Sequence, residues 1–250
     1  MRLLKRLPEA VAAVTVLGFA SCAKVGPSGA NGLTGPAGPS YSNVVVMGHV
    51  SLYDVYGAPA TIGLSTVQIS LNSGTSIYPD SSGFFEYQNL TTGNYQLAAT
   101  DSGYAANRVG PFQAVLDTVY RNITLSAIPT FNPVAIGVAS ESEGFSVTVT
   151  YPNDARARAG ILFVYSDSTV SNLISGYKVA YTTTFAGNTA TFTIFNQDLY
   201  DIGFVSGSKV YVAGYSYAVG DHSVYVDQTS GKTVYNAVGA TRVLDSLITP

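Results

Sequence analysis

The chain has 250 residues, of which 46% are apolar and 12% aromatic, with 12 basic residues against 15 acidic ones and a net charge of −3. Its cations are few and unclustered, which excludes the basic tracts that neutralise nucleic-acid phosphates. A single cysteine, Cys22, has no partner for an intramolecular disulfide, so stability has to come from apolar cores; Val, Ile, Tyr, Phe and Thr supply side chains suited to a pleated, half-buried surface.

Arg2, Lys5 and Arg6 precede the apolar run 11–19, and the small residues Ala20 and Ser21 lead into Cys22. This is the charged, apolar and small-residue order of a secretion signal, too short to remain as a spanning helix. Phe19-Ala20-Ser21-Cys22 resembles the bacterial lipobox, with Phe19 where Leu is commonest. The resemblance implies diacylation of Cys22 and removal of residues 1–21; a plain secretory cleavage near Cys22 is the alternative. Without residues 1–21 the chain keeps nine basic and 14 acidic residues, a net charge of −5.

Residues 22–42 read as the anchor and a spacer. Glycine stands at 26, 29, 32, 35 and 38, with proline after it in three of the five triplets. That is the collagen period, but five triplets are few for a triple helix. An extended, solvated spacer of about 45 Å is expected, at about 3.1 Å per residue, with a monomeric region beyond it. Short tracts of this kind behind a lipid-bearing cysteine resemble those of Bacteroidetes surface lipoproteins.

In residues 43–128, Val44, Val46, Gly48, Val50 and Leu52 share one parity, and Val67, Ile69 and Leu71 repeat the period. Further strands are expected over 84–87, 95–99, 109–116 and 119–125, separated by Gly-, Asn- and Asp-rich turns. Gly48-His49-Val50, Asp54 with Gly57-Ala58-Pro59, Asp80-Ser81-Ser82-Gly83-Phe84-Phe85, Gly93-Asn94-Tyr95-Gln96-Leu97 and Gly103-Tyr104 are similar to the carboxypeptidase regulatory-like domain. Residues 60–64 are an insertion relative to that pattern. The resemblance implies a transthyretin-like or starch-binding-like sandwich of about seven strands, and no catalytic residues. Phe85, Tyr95 and Leu97 are expected in its core.

Phe131-Asn132-Pro133 marks a break, and residues 129–250 form a second unit with strands expected over 134–139, 145–151, 161–165, 176–183, 189–195, 209–217 and 233–243. The segment 209–217 is similar to the Tyr-x-Val-x-Ala strand of fibronectin type III modules, but the chain has no Trp. An immunoglobulin-like sandwich is therefore expected. The fold class is all-β, with two tandem antiparallel sandwiches of about seven strands each.

Chemistry-bearing residues are sparse. His49 and His222 are the only histidines and have no ligand spacing around them. Asp198 with Asp201, or Asp221 with Asp227, could offer oxygens to calcium, yet isolated Asp residues near turns more often shape the turn. Asp117-Thr118-Val119, Asp167-Ser168-Thr169 and Asp245-Ser246-Leu247 resemble Bacteroidetes O-glycosylation acceptors, and Asn122-Ile123-Thr124 has the N-glycosylation pattern. No catalytic residue, metal site or cofactor is expected. The most suggestive feature is the 18 tyrosines without a tryptophan. In a strand, Tyr211, Tyr215 and Tyr217 share one face while Val210 and Val212 take the other. Valines inward would leave an outward aromatic patch able to stack on a glycan or anchor a protein; the alternative is that the rings pack in a core.

The sequence thus reads as a non-enzymatic, lipid-anchored bacterial envelope protein that presents two interaction modules. It would be held at a membrane, on the outer-membrane surface or the periplasmic face, through its anchor. A carbohydrate-binding surface lipoprotein is the alternative, and a hydrolase built on scattered carboxylates is the third.

Overall fold

A computed structural model describes residues 42–115 and 117–250; Cys22 and the glycine tract lie outside them. The first nine strands are β1 (Ser42–Tyr53), β2 (Pro59–Ala60), β3 (Gln68–Leu71), β4 (Ser76–Ile77), β5 (Phe84–Thr91), β6 (Gly93–Thr100), β7 (Asn107–Ala114), β8 (Thr118–Tyr120) and β9 (Ile123–Ser126). One sheet is built around β1, with β2 and β5 antiparallel to it and β8 and β9 parallel. The other runs β4-β3-β6-β7. A single apolar cluster draws Val44, Val46, Val50 and Leu52 from β1 against Ile69, Leu71, Leu97 and Phe112 of the other sheet, with Phe85 buried and Tyr95 packed at its margin.

The turn motifs have local causes. Asp54 Oδ1 accepts the backbone N–H groups of Tyr56 and Ala58 around Gly57, and Asp80 Oδ1 accepts those of Ser82 and Phe84 around Gly83. Both glycines have positive φ, at +80° and +85°, which favours a residue without a Cβ. The strand expected over 119–125 is interrupted at Arg121–Asn122, where the Arg121 carbonyl lies against Gly48 of β1 while the same register to β1 is kept on either side. A Cβ on Gly48 would lie 1.9 Å from the Arg121 carbonyl oxygen. The interruption is tied down on either side, by Arg121 N–H to the Met47 carbonyl at 2.8 Å and by His49 N–H to Asn122 Oδ1 at 2.9 Å.

The second set comprises β10 (Ala135–Glu141), β11 (Gly144–Tyr165), β12 (Val179–Phe195), the short helix α1 (Asn196–Asp201), β13 (Lys209–Tyr217), β14 (Tyr225–Val226), β15 (Thr233–Val234) and β16 (Val238–Ile248). Here 145–151 and 161–165 are one continuous strand, paired along its length with β12. On its opposite edge, β10 takes the first stretch and β13 the second, with β16 beyond β13. The register slips between Thr150 and Arg158, and the sheet folds over on itself there. Inward parity changes across the bend: Phe145, Val147 and Val149 face Leu162, Val164, Val210 and Val212 in one core. The bend encloses the buried Arg158. Its guanidinium donates to the Pro152 and Gly187 carbonyls and lies 5.0 Å from the Phe131 ring and 5.1 Å from the Phe185 ring. Carbonyl dipoles and ring faces thus stabilise the buried charge.

The described residues lie in one compact unit although the strands fall into two sets. The join is largely polar. Asn107 Nδ2 donates to the Thr124 carbonyl at 2.7 Å and the His222 carbonyl at 3.1 Å. Ser126 N–H donates to Ser223 Oγ at 2.7 Å, and Ser126 Oγ accepts His222 N–H at 2.8 Å. The His222 ring stacks on Tyr53 at 3.9 Å. A small apolar cluster of Ala105, Ala218 and Ala237, with Ile128 against it, closes the middle. Removing a buried amide that serves two carbonyls leaves both short of a donor, at a cost of about 1–3 kcal/mol. Asn107→Ala is expected to lower the urea-unfolding free energy by that amount; an unchanged midpoint would show that the join carries no stability.

Candidate functional site

The site begins at β13. Its alternation is as the sequence indicates, with Val210 and Val212 in the core of the folded-over sheet and Ala213, Tyr215 and Tyr217 on the opposite face. That opposite face is not an exposed platform. Tyr215 is 4% exposed and Tyr217 6%, while Tyr211 is half-buried at the margin, with the Lys209 ammonium 5.0 Å from its ring. The covering residues, Val170, Tyr177, Val219 and Tyr235, come from the segments before β12 and after β13. A period of two shows which side chains share a face, but it carries no information about segments that fold back over that face. The second stretch of β11 is consequently buried on both sides, and residues 158–164 are all buried.

The cover is incomplete at one end. Register places Thr184, Ala159 and Tyr217 in one row across β12, β11 and β13, and Thr182, Ile161 and Tyr215 in the next. Ala159 fills little of its place in that row. A cleft of about 650 Å³ opens there, lined by Ala159, Thr182, Thr184, Tyr217, Asp221 and Tyr235. Beyond Tyr235 a second hollow of about 200 Å³ lies along the same strand, lined by Val179, Ala180, Tyr177 and Lys232. Asp221 is fixed by its own loop: Oδ1 accepts Ser223 N–H at 2.7 Å and Oδ2 accepts Ala237 N–H at 3.3 Å. Burial, then the Asp221 carboxylate, pushes the Tyr217 hydroxyl above the usual tyrosine range. Sequence alone does not show this cleft, because its parts come from four segments; Gly220-Asp221 is legible there only as a turn.

The other residues singled out by sequence serve the fold. The His49 ring packs edge-on against Phe84, and His222 belongs to the join. Asp198 and Asp201 sit on α1, where Asp201 accepts the Gln197 amide at 2.7 Å. Asp227 holds Ser230 through both its N–H and its hydroxyl, and Asp167 does the same for Thr169. Asn122, of the glycosylation pattern, accepts the His49 N–H of β1 through its Oδ1. Among the described residues, no group of three or more His, Cys, Asp or Glu side chains could hold a metal ion.

Compared by sequence, the chain matches no family profile and no curated protein. Compared by structure, it is similar to a Bacteroides uniformis protein named as a candidate carbohydrate-binding protein. That likeness has 14% identity, covers 83% of this chain and 100% of the other, and has a TM-score of 0.29. DUF3823 family proteins overlap similarly: one from B. uniformis at 12% identity, 84% and 100% coverage and a TM-score of 0.30, and one from Parabacteroides merdae at 13% identity, 81% and 98% coverage and a TM-score of 0.27. Scores this low say nothing of what this chain binds.

The ionisable groups set limits on stability at both ends of the pH scale. Hydrogen bonds from the Arg156 side chain and backbone hold Asp154 down from its ordinary 3.8 to about 2. Asp80, Asp167 and Asp227 are lowered in the same way, chiefly by Ser82, Thr169 and Ser230. Burial pushes Tyr177 and Tyr181 from 10.0 up to about 12. Carboxylates depressed in the fold stabilise it above their unfolded value, and that contribution is lost as pH falls from 3.8 through about 2. Raised phenols contribute below their unfolded value and lose it as pH climbs from 10.0 through about 12. Urea midpoints are expected to be level near neutrality and to decline in both windows. A midpoint that stays unchanged across both would contradict these assignments.

Proposed function

We propose that this chain is a non-enzymatic, lipid-anchored protein of the bacterial cell envelope, which presents its two β-sandwiches as one rigid interaction body. The observation that carries this reading is the join between them. Two modules on a free linker would move independently, whereas Asn107, Ser126, His222 and Ser223 tie these through buried and part-buried hydrogen bonds. Surfaces drawn from both halves are therefore held at fixed spacing, and a partner that spans them is met without an ordering cost.

The carboxylates support the non-enzymatic part. Asp54, Asp80, Asp167, Asp221 and Asp227 each accept backbone N–H groups of their own turn, and Asp154 accepts that of Arg156 at the slip in β11. Those with a resolved shift among them lie below the ordinary range, which is the wrong direction for a general acid near neutral pH. The carbohydrate reading rests on the starch-binding-like resemblance and on the tyrosines; with Tyr215 and Tyr217 buried it loses the outward tyrosine platform.

In this account Cys22 bears the lipid and the glycine tract lifts the sandwiches from the membrane. Cys22→Ala in the full chain is expected to abolish incorporation of labelled fatty acid and to move the protein from the membrane to the soluble fraction. Persistence in the membrane fraction without acyl label would overturn the anchor.

A further inference from the structure

Among the described residues, β12 pairs with β11 alone. Every second residue of β12 therefore turns its backbone N–H and C=O outward, away from the sheet. Natural proteins blunt such edges with charges, prolines or bulges. Other strands here carry such features: Glu86 in β5, Arg108 and Pro111 in β7, Arg242 and Asp245 in β16. From Val179 to Phe195, β12 has no Lys, Arg, Asp, Glu or Pro; its pairing slips only from Phe185 onward, and Thr182 and Thr184, before the slip, are exposed on it.

The two hollows lie along this edge. Val179 and Ala180 line one and Thr182, Thr183 and Thr184 the other, with Tyr235 shared between them. The shared length is six residues, roughly 20 Å of extended chain. The larger cleft has one charged residue in its lining, Asp221, and no cation. A carboxylate beside tyrosine rings suits a cationic side chain through ion pairing and cation–π attraction together.

We infer that the outer edge of β12 is a docking site for an extended peptide segment of a partner protein, which adds to the sheet beside Val179–Thr184 and places a Lys or Arg side chain in the Asp221 cleft. Main-chain hydrogen bonds to the edge supply affinity and the cleft supplies selectivity, as in other recognition by strand addition. A strand laid there sends alternate side chains to the cleft side of the sheet about 7 Å apart, so one basic residue with β-branched or small neighbours at alternate positions meets both hollows. Two outward threonines, free of charge, offer no repulsion to the incoming backbone. This inference rests on the reading of the sandwiches as an interaction body and makes no use of the lipid anchor.

The test uses full-length protein in detergent micelles and a displayed library of random 12-residue peptides. Recovered peptides are expected to share a Lys or Arg at one position within an alternating β-branched pattern. For a recovered peptide measured by fluorescence anisotropy, replacing that cation with norleucine should weaken binding at least tenfold. Thr184→Lys, an exposed substitution that brings a cation to the cleft in cis, should do the same while the circular dichroism spectrum is unchanged. N-methylation of alternate peptide amides along one edge should abolish binding, and along the other edge leave it intact, a readout independent of any variant's folding. An empty selection would overturn the inference, as would peptides indifferent to N-methylation of either edge. So would a saccharide from a glycan array that binds at a Thr184→Lys-sensitive site where no peptide does. Failure of acyl labelling would count against the anchor only, since peptide binding is read in micelles.

Discussion

Burial of one layer of sheet on both faces is the constraint on which the rest of the structure depends. The second stretch of β11 and all but the start of β13 are buried or nearly so on each side, and the chain has to supply cover for both. The first stretch of the same sheet folds over one face. The other is covered by the segments before β12 and after β13, through Val170, Tyr177, Val219 and Tyr235. The segment after β13 is then committed to two further tasks. Ala218, His222, Ser223 and Ala237 carry the join to the first sandwich, and Asp221 and Tyr235 form the wall of the cleft. Core, join and cleft are consequences of one covering segment.

This explains how much of the molecule is legible in its sequence. The alternation of β1 is plain because one parity packs in a core, and that of β13 because its valines and its tyrosines fall on opposite faces, each packed in its own cluster. The Asp–Gly turns are plain because Asp54 and Asp80 satisfy local N–H groups beside glycines at positive φ. Those signals are local. Tyr215 and Tyr217 do share a face, as their spacing indicates, yet the cover of that face is non-local. Val170 and Tyr177 reach it from a segment before β12, and Tyr235 from one after β13, in no periodic pattern. The long strands are hidden for a related reason. The stretch 152–157 is largely polar and reads as a loop, but it stays paired with β12 through a slipped register, so two expected strands are one. The division of 119–125 into β8 and β9 follows from the packing of the Arg121 carbonyl against Gly48, again a contact between distant residues.

The same physics bears on function. Carboxylates that close their own turns, a histidine stacked on Tyr53 and an arginine held by carbonyls and ring faces are groups used to make structure. The long uncharged edge of β12 is not used in that way. Two sandwiches fixed against each other thus leave the outer edge of β12 unpaired among the described residues.

The central claim, that the segment after β13 is an integral part of the core, is tested most directly by native-state hydrogen exchange. The amide of Val219, bonded to the Val55 carbonyl, that of Ala218, bonded to the Ala237 carbonyl, and that of Ser126, bonded to Ser223, are expected to exchange only with the slow β13 amides, in one cooperative opening. Exchange of Val219, Ala218 and Ser126 orders of magnitude faster than that of β13 would show that the cover opens by itself, and would contradict the account.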